Sequence, residues 1–327
     1  MRFAFTDEQR MFAGIVREML AEACPPKAVR EAAHDATCLS VERWRRLAEV
    51  GLLGITLPEE HGGSAADEID LVLALEETGY ACLPEPIVES YVASSALLDS
   101  PLGNDWLTSV ALGDEVITAG TPDLVNHGDE ADLAILIDPD GVRAAERLTS
   151  RREPRPSLDP TRRLFRVTAE GTRLEKADPQ RSLDRGAWGS AAQAIGVARR
   201  AVELAAGYAR DRQQFGVPIG SFQAVKHRLA DAHLAVEFAR PVVYRAAWSL
   251  ARGDLASSMH ASMAKAMASD AAVGACRAAL QVHGAIGYTE EHDLHLWLKR
   301  GFALASAWGT AAEHRGRVLA ALLTERR

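Results

Sequence analysis

Apolar residues near the start of the chain recur with a helical period. Phe3, Phe5, Met11, Phe12, Ile15, Val16 and Met19 form a rough stripe, and Thr6 is placed to cap it. Pro25-Pro26 ends that run, and further helices are predicted around Val41–Val50 and Glu68–Tyr80. Between them the string LPEEHGG, Leu57 to Gly63, has the proline and glycine density of a loop. Residues 1–100 therefore read as an N-terminal helical domain.

The pattern changes near Pro101. Short β-like runs follow at Ser109–Leu112, Val116–Ala119, Leu133–Ile137 and Leu164–Thr168, separated by Gly, Pro and Asp. Ser150 to Arg163, SRREPRPSLDPTRR, reads as a charged, proline-broken connection. Residues 101–177 are thus expected to form a small antiparallel β domain. From about Ser182 the chain is alanine-rich and helical in period, with segments at 182–212, 222–252, 255–284, 290–306 and 309–325. Gly216, Gly253-Asp254 and Gly284–Gly287 punctuate them, and Pro241 predicts a kink inside the second. Residues 178–327 read as a helix bundle. The fold class is α+β, mainly α.

Composition narrows the function. A length of 327 residues with 47% hydrophobic content is enough for two or three domains with a sizeable core. A net charge of −8 argues against nucleic acid or anionic lipid as the main partner. Cys24, Cys38, Cys82 and Cys276 lie far apart with no CxxC spacing, so neither zinc nor a disulfide framework is indicated. No signal peptide and no bilayer-spanning run is visible, and a reducing cytoplasm fits best. Only one ExxH pair occurs, Glu31–His34, where a di-iron bundle needs two; His292 and His295 share a helix face, but His314 and His283 have no spacing that demands a metal.

One stretch carries more chemistry than the rest. In YARDRQQFG, Tyr208 to Gly216, residues Tyr208, Arg212 and Phe215 fall on one helical face, and Gly216 and Pro218 then stop the helix. An arginine at a helix end beside an aromatic suits a phosphate under a flat ring system. This string, continuing to Asp231, closely resembles the flavin-contacting helix-turn-helix of acyl-CoA dehydrogenases. MRFAFTDEQR, GLLGITLPEEHGG (Gly51 to Gly63) and QVHGAIGYTEEHDLHLWLKR (Gln281 to Arg300) resemble three further segments, in the same order. The chain is identified as a member of that family. The resemblance implies a helical domain, a middle β domain and a C-terminal four-helix bundle.

It also implies a chemistry. Family members remove the α proton of an acyl-CoA with a glutamate and pass a hydride from the β carbon to FAD; an electron-transfer flavoprotein then takes the electrons. The thioester must be polarised, and the base desolvated to raise its pKa. In homotetrameric relatives each FAD lies across a subunit boundary, so the two half-sites are weighed separately. One half matches the family. Arg212 stands at the pyrophosphate-binding arginine, Gln214 and Phe215 beside it, and Gln223 in the following turn. Gln281, Val282, Gly284 and Ala285 match the second segment, with Ala285 where many members have glycine. The other half does not match. The usual base lies in a motif like YEGT, and here Ala307-Trp308-Gly309-Thr310 puts Trp308 at the glutamate position. A minority of relatives place the base on the first bundle helix, where this chain has Gly186. No string like TEPGAGSD, which contacts flavin and thioester, is present, and the β domain is short.

The matching and missing halves divide along the subunit boundary. The chain therefore resembles the short, base-less subunit of actinobacterial heteromeric (α2β2) acyl-CoA dehydrogenases acting on steroid side-chain CoA esters. It is expected to lend its half of an FAD site to a longer, base-bearing partner. Two other readings stay open. One is a self-sufficient homo-oligomer with Asp184 or Glu313 as a displaced base. The other is a non-enzymatic acyl-CoA-binding scaffold.

Overall fold

Thr6 starts the first helix with a reciprocal cap. Its hydroxyl accepts from the Gln9 N–H at 3.2 Å, and the Gln9 side chain accepts from the Thr6 N–H at 2.9 Å, ahead of helix α1 (Asp7–Ala23). Asp67 and Asp70 repeat the device at α4 (Glu68–Tyr80). Between them lie α2 (Pro26–His34), opened by the predicted proline pair, and α3 (Val41–Glu49). The computed structural model describes residues 4–98 and 100–324, so Phe3 and residue 325 of the predicted elements lie outside it. Of the predicted first stripe, Val16 and Met19 are buried, whereas Met11 and Ile15 face outward.

Helices α5 (Ile87–Leu97) and α6 (Pro101–Leu112) complete the first helical group. Ser109–Leu112, expected as a strand, is the last turn of α6. The Ser100 hydroxyl caps that helix, Pro101 takes its first turn, and Gly113 ends it with φ 76°. A four-residue apolar run cannot be told from a helix end by period alone.

The sheet has seven strands among the described residues. They are β1 (Ile117–Thr121), β2 (Leu124–Asn126), β3 (Leu133–Asp138), β4 (Gly141–Glu146), β5 (Arg151–Arg155), β6 (Leu164–Thr168) and β7 (Thr172–Arg173), in the order β5-β6-β2-β1-β3-β4-β7. It is not wholly antiparallel as expected: β1 and β3 run parallel, with Ile117 opposite Leu133. The return is short because His127 turns the chain with φ 52°. Its ring is buried between Glu130 (2.8 Å) and the Pro84 carbonyl (2.9 Å). The predicted charged connection also needs correction, since Arg151–Arg155 is a strand. It lies at the sheet edge, where Pro154 and a row of charges are tolerated.

The second helical group comprises α7 (Pro179–Asp211), α8 (Gln223–Ala251), α9 (Ser257–His283), α10 (Leu294–Ser306) and α11 (Ala311–Thr324), with a β8–β9 hairpin (Gln213–Gln214, Val217–Pro218) between α7 and α8. Helix α8 continues through Pro241. Buried alanines, such as Ala194, Ala198, Ala264 and Ala268, let α7 and α9 pack closely. Helix α7 meets α4 backbone to backbone: a Cβ on Gly196 would lie 1.9 Å from the Glu76 carbonyl, and one on Gly79 would lie 2.0 Å from the Gln193 carbonyl. Among the described residues no helix is long and apolar enough to cross a membrane.

One buried side chain ties the three parts together. Arg300 on α10 donates to Asp159, to the Leu83 carbonyl at 2.7 Å and to the Thr161 hydroxyl at 2.6 Å. Burial alone would raise the Asp159 carboxyl; the Arg300 guanidinium and the two Thr161 donors hold it below its usual value. Removing one partner strands a buried charge. Arg300→Met is expected to cost about 3–5 kcal/mol of unfolding free energy, and adding Asp159→Leu to recover most of it. Urea denaturation of the three proteins, followed by tryptophan fluorescence, measures this. An equal loss in single and double variants would show that pairing is not what the two residues contribute.

Candidate functional site

The turn after α10 is built tightly. Lys265, wholly buried on α9, donates from Nζ to the Leu304 carbonyl (2.9 Å), the Ala305 carbonyl (3.2 Å) and the Ser269 hydroxyl (2.9 Å). Burial pulls its pKa down to about 7. These bonds satisfy carbonyls that the helix end leaves free. The chain then passes through Trp308 (φ 59°) and Gly309 (φ 99°), both left-handed. His314 locks that turn. Its Nε2 lies 2.9 Å from the Trp308 carbonyl, which can only accept, so Nε2 carries the proton. Its Nδ1 then takes the Ser262 hydroxyl at 3.1 Å. Burial lowers its pKa to about 4, so the ring is neutral at neutral pH.

This turn lays the half-buried Trp308 on Gly186. A Cβ on Gly186 would fall 2.3 Å from two indole ring atoms. The two positions considered for a base are therefore in contact, and one apolar ring fills both. Beside them a crevice of about 590 Å³ opens between the sheet and the bundle. Its walls include Leu124, Leu158, Leu164, Leu183, Phe302 and Trp308.

Two carboxylates line this crevice, and both are engaged. Glu89 is buried and accepts from Arg162 at 2.8 Å; burial would raise its pKa, but the guanidinium holds it low. Glu313 accepts from the Thr310 N–H at 2.6 Å and hydroxyl at 2.8 Å, which depress its pKa. It is the capping-box residue of α11, exposed and acidic, the opposite of a desolvated base. Asp184 is buried and its pKa is raised, first by burial, as a base would need. Its carboxylate, however, accepts from Gln180 at 2.8 Å and does not line the crevice.

The other predicted residues gather elsewhere. Helix α7 ends with Arg212 as its C-cap. Phe215 and Gly216 follow with φ 53° and 78°, the positive pair that a two-residue hairpin turn requires. Arg212, Gln214, Phe215 and Gln223 are all exposed, Phe215 by 92%, with its ring edge-on to Phe222 at 6.2 Å. On the neighbouring end of α9, Gln281, Gly284 and Ala285 are exposed and Val282 is buried. Gly284 has φ 64° and nothing within 4 Å of a Cβ, so its backbone is open to close approach. None of these residues lines the crevice that holds Trp308.

Some supporting residues gave little sequence signal. Lys265 lies in an alanine-rich helix and Arg162 in a charged run, where a solvated side chain is the natural reading. All four cysteines are buried and free, with thiol pKa values pushed up to about 12 by burial.

The Trp308–Gly186 contact is testable by a double-mutant cycle. In a helix interior Gly→Ala normally gains about 1 kcal/mol. Here Gly186→Ala is expected to lose about 1–3 kcal/mol by overpacking against the indole. In a Trp308→Ala background the same change is expected to be neutral or stabilising. Chemical denaturation reads the difference, and identical effects in both backgrounds would contradict the contact.

The profile "Acyl-CoA dehydrogenase, N-terminal domain" matches residues 6–102, and "Acyl-CoA dehydrogenase, C-terminal domain" matches residues 178–323. A protein of Mycolicibacterium smegmatis named acyl-CoA dehydrogenase IpdE2 is 36% identical over 310 residues, covering 94% of this chain and 96% of its own. Among solved structures, the "Tcur3481-Tcur3483 steroid ACAD G363A variant" superposes with a TM-score of 0.90 at 24% identity, covering 98% of each chain. The ChsE4-ChsE5 complex from Mycobacterium tuberculosis superposes with a TM-score of 0.90 at 23% identity, covering 99% of each. The chain belongs to the acyl-CoA dehydrogenase family.

Proposed function

We propose that this chain is the base-less subunit of a heteromeric, FAD-dependent acyl-CoA dehydrogenase, and that it completes a flavin site on a longer partner that bears the catalytic carboxylate. The observation that carries this reading is the seating of Trp308 on Gly186. It leaves the crevice without a free carboxylate at either base position, while Arg212, Gln214, Phe215, Gln223, Gln281, Gly284 and Ala285 stay presented on the outer surface. An indole has no lone pair with which to take an α proton. A solvent-facing arginine, with no ion-pair partner among the described residues, is instead suited to a partner's bound pyrophosphate.

The residues present fit such a group. Arg212 supplies a planar cationic fork, the Gly284 backbone allows close approach, and Phe215 offers an exposed ring. FAD, when bound, supplies the hydride acceptor. This chain's part is to hold and orient it and to screen it from water. Substrate and electron acceptor follow the family: an acyl-CoA thioester and an electron-transfer flavoprotein. Two structural neighbours are described by paired names, and one as a steroid enzyme, which favours a partner subunit and a bulky steroid side-chain CoA ester. The self-sufficient reading is disfavoured by the capping role of Glu313 and the placement of Asp184 off the crevice. The scaffold reading is disfavoured by the retained outer half-site.

The test uses the complex with a candidate longer subunit. Arg212→Ala removes a charge-assisted hydrogen bond worth roughly 1.5–3 kcal/mol, so FAD is expected to be lost about tenfold or more readily. Arg212→Lys is expected to be intermediate, because an ammonium lacks the planar fork. Trp308→Phe is expected to leave turnover per bound FAD unchanged. Unaltered FAD retention in Arg212→Ala would contradict the half-site. Loss of turnover in Trp308→Phe, at normal FAD content and assembly, would contradict the division of labour.

A further inference from the structure

Three aromatic rings, Tyr208, His283 and His292, lie under the outer half-site. Tyr208 is on the last turn of α7, four residues before Arg212. It does not share the outward face with Phe215, as the helical spacing implied, but turns inward and stacks on His283 with centroids 4.4 Å apart at 24°. His283 is the last residue of α9, next to Gly284. His292 completes the group, 4.4 Å from His283 and 6.0 Å from Tyr208, edge-on to both.

Each ring is fixed by its own backbone contact or burial. His283 Nδ1 lies 2.8 Å from the Ala279 carbonyl, so Nδ1 carries the proton and Nε2 is an acceptor; that Nε2 has no donor among the described residues. His292 Nδ1 accepts the Leu294 N–H at 3.1 Å. It thereby caps α10, a task Asp293 does not perform because its carboxylate pairs with Arg30. The three rings thus join the C-terminal end of α7, the C-terminal end of α9 and the N-terminal end of α10. The first two ends carry Arg212 and the Gln281–Ala285 segment. The hairpin that follows Arg212 is itself exposed, and its return is tied to the end of α7 by the Ile219 N–H on the Arg212 carbonyl at 2.8 Å.

We propose that Tyr208, His283 and His292 act as a positioning stack that sets the distance between Arg212 and the Gln281–Ala285 segment, and through it the retention of FAD in the heteromer. The inference rests on the half-site reading given under Proposed function. An aromatic pair stabilises beyond the area it buries, and its effect here is geometric: the two ends of the proposed half-site kept in one register. The rings pack on one another beneath the proposed half-site, so they are positioning residues and not catalytic ones.

The experiment measures the rate at which FAD leaves the reconstituted complex, read as the rise in free-flavin fluorescence. His283→Ala and Tyr208→Leu are expected to speed release several-fold. Tyr208→Phe and His283→Phe keep a ring in the stack and are expected to stay within about twofold of the parent protein. Combining His283→Ala with Arg212→Ala is expected to give less than the product of the single effects, because the stack acts through the position of Arg212. A general loss of stability would not give that non-additivity. If Arg212→Ala releases FAD but His283→Ala and Tyr208→Leu do not, or if the effects simply multiply, the stack is overturned and the half-site stands. If Arg212→Ala also keeps its FAD, the half-site reading fails and takes the stack with it.

Discussion

The buried guanidinium of Arg300 is the constraint on which the arrangement of the crevice depends. It reaches from α10 to the loop between β5 and β6 and to the Leu83 carbonyl of the first helical group. The same loop supplies Pro156, Ser157 and Leu158 to the crevice and is held a second time by Arg162 on Glu89. Neither pair is a cheap source of stability, because taking two charges out of water costs several kcal/mol per ion before attraction repays it. What the pairs supply is position. With Asp159 neutralised in place, the wall of the crevice stands at a set distance from α10, and the turn that carries Trp308 starts from the end of that helix.

That turn holds the functional content. Lys265 and His314 satisfy its carbonyls from beneath, and Thr310 with Glu313 opens the helix beyond it. The turn so held carries the Trp308 indole. That ring lies against Gly186, so the two positions weighed for a base are in contact. Elsewhere on the surface, Arg212 and the Gly284 backbone are exposed. The proposed role as a site-completing subunit rests on that contrast.

Much of this was legible in the sequence, for physical reasons that differ by region. Long helices followed by strong punctuation, such as α7 (Pro179–Asp211) and α8 (Gln223–Ala251), were placed within a few residues. The capping role of Thr6 could be read from its spacing to the first apolar turn. Short elements were harder. Ser109–Leu112 is too brief for a period to decide, and only Ser100, Pro101 and Gly113 mark it as a helix end. The edge strand Arg151–Arg155 was hidden by the charges that protect an edge, and the parallel β1–β3 pair by a turn that depends on one buried histidine. For the candidate site, the resemblance singled out Arg212, Gln281 and Trp308; the structure places the first two near the ends of α7 and α9 and Trp308 on Gly186. The contacts of Lys265, His314, Tyr208 and His283 were not legible. Their roles arise from contacts distant in the chain, as with Lys265 and the Leu304 carbonyl.

We propose that this chain holds half of one flavin site and none of a second. The most direct measurement is the flavin content of purified protein, from the visible absorbance of released FAD against protein concentration. The chain expressed alone is predicted to be essentially colourless, and its complex with the longer subunit to carry about one FAD for each pair of chains. A yellow, active homo-oligomer of this chain with one FAD per polypeptide would contradict the account.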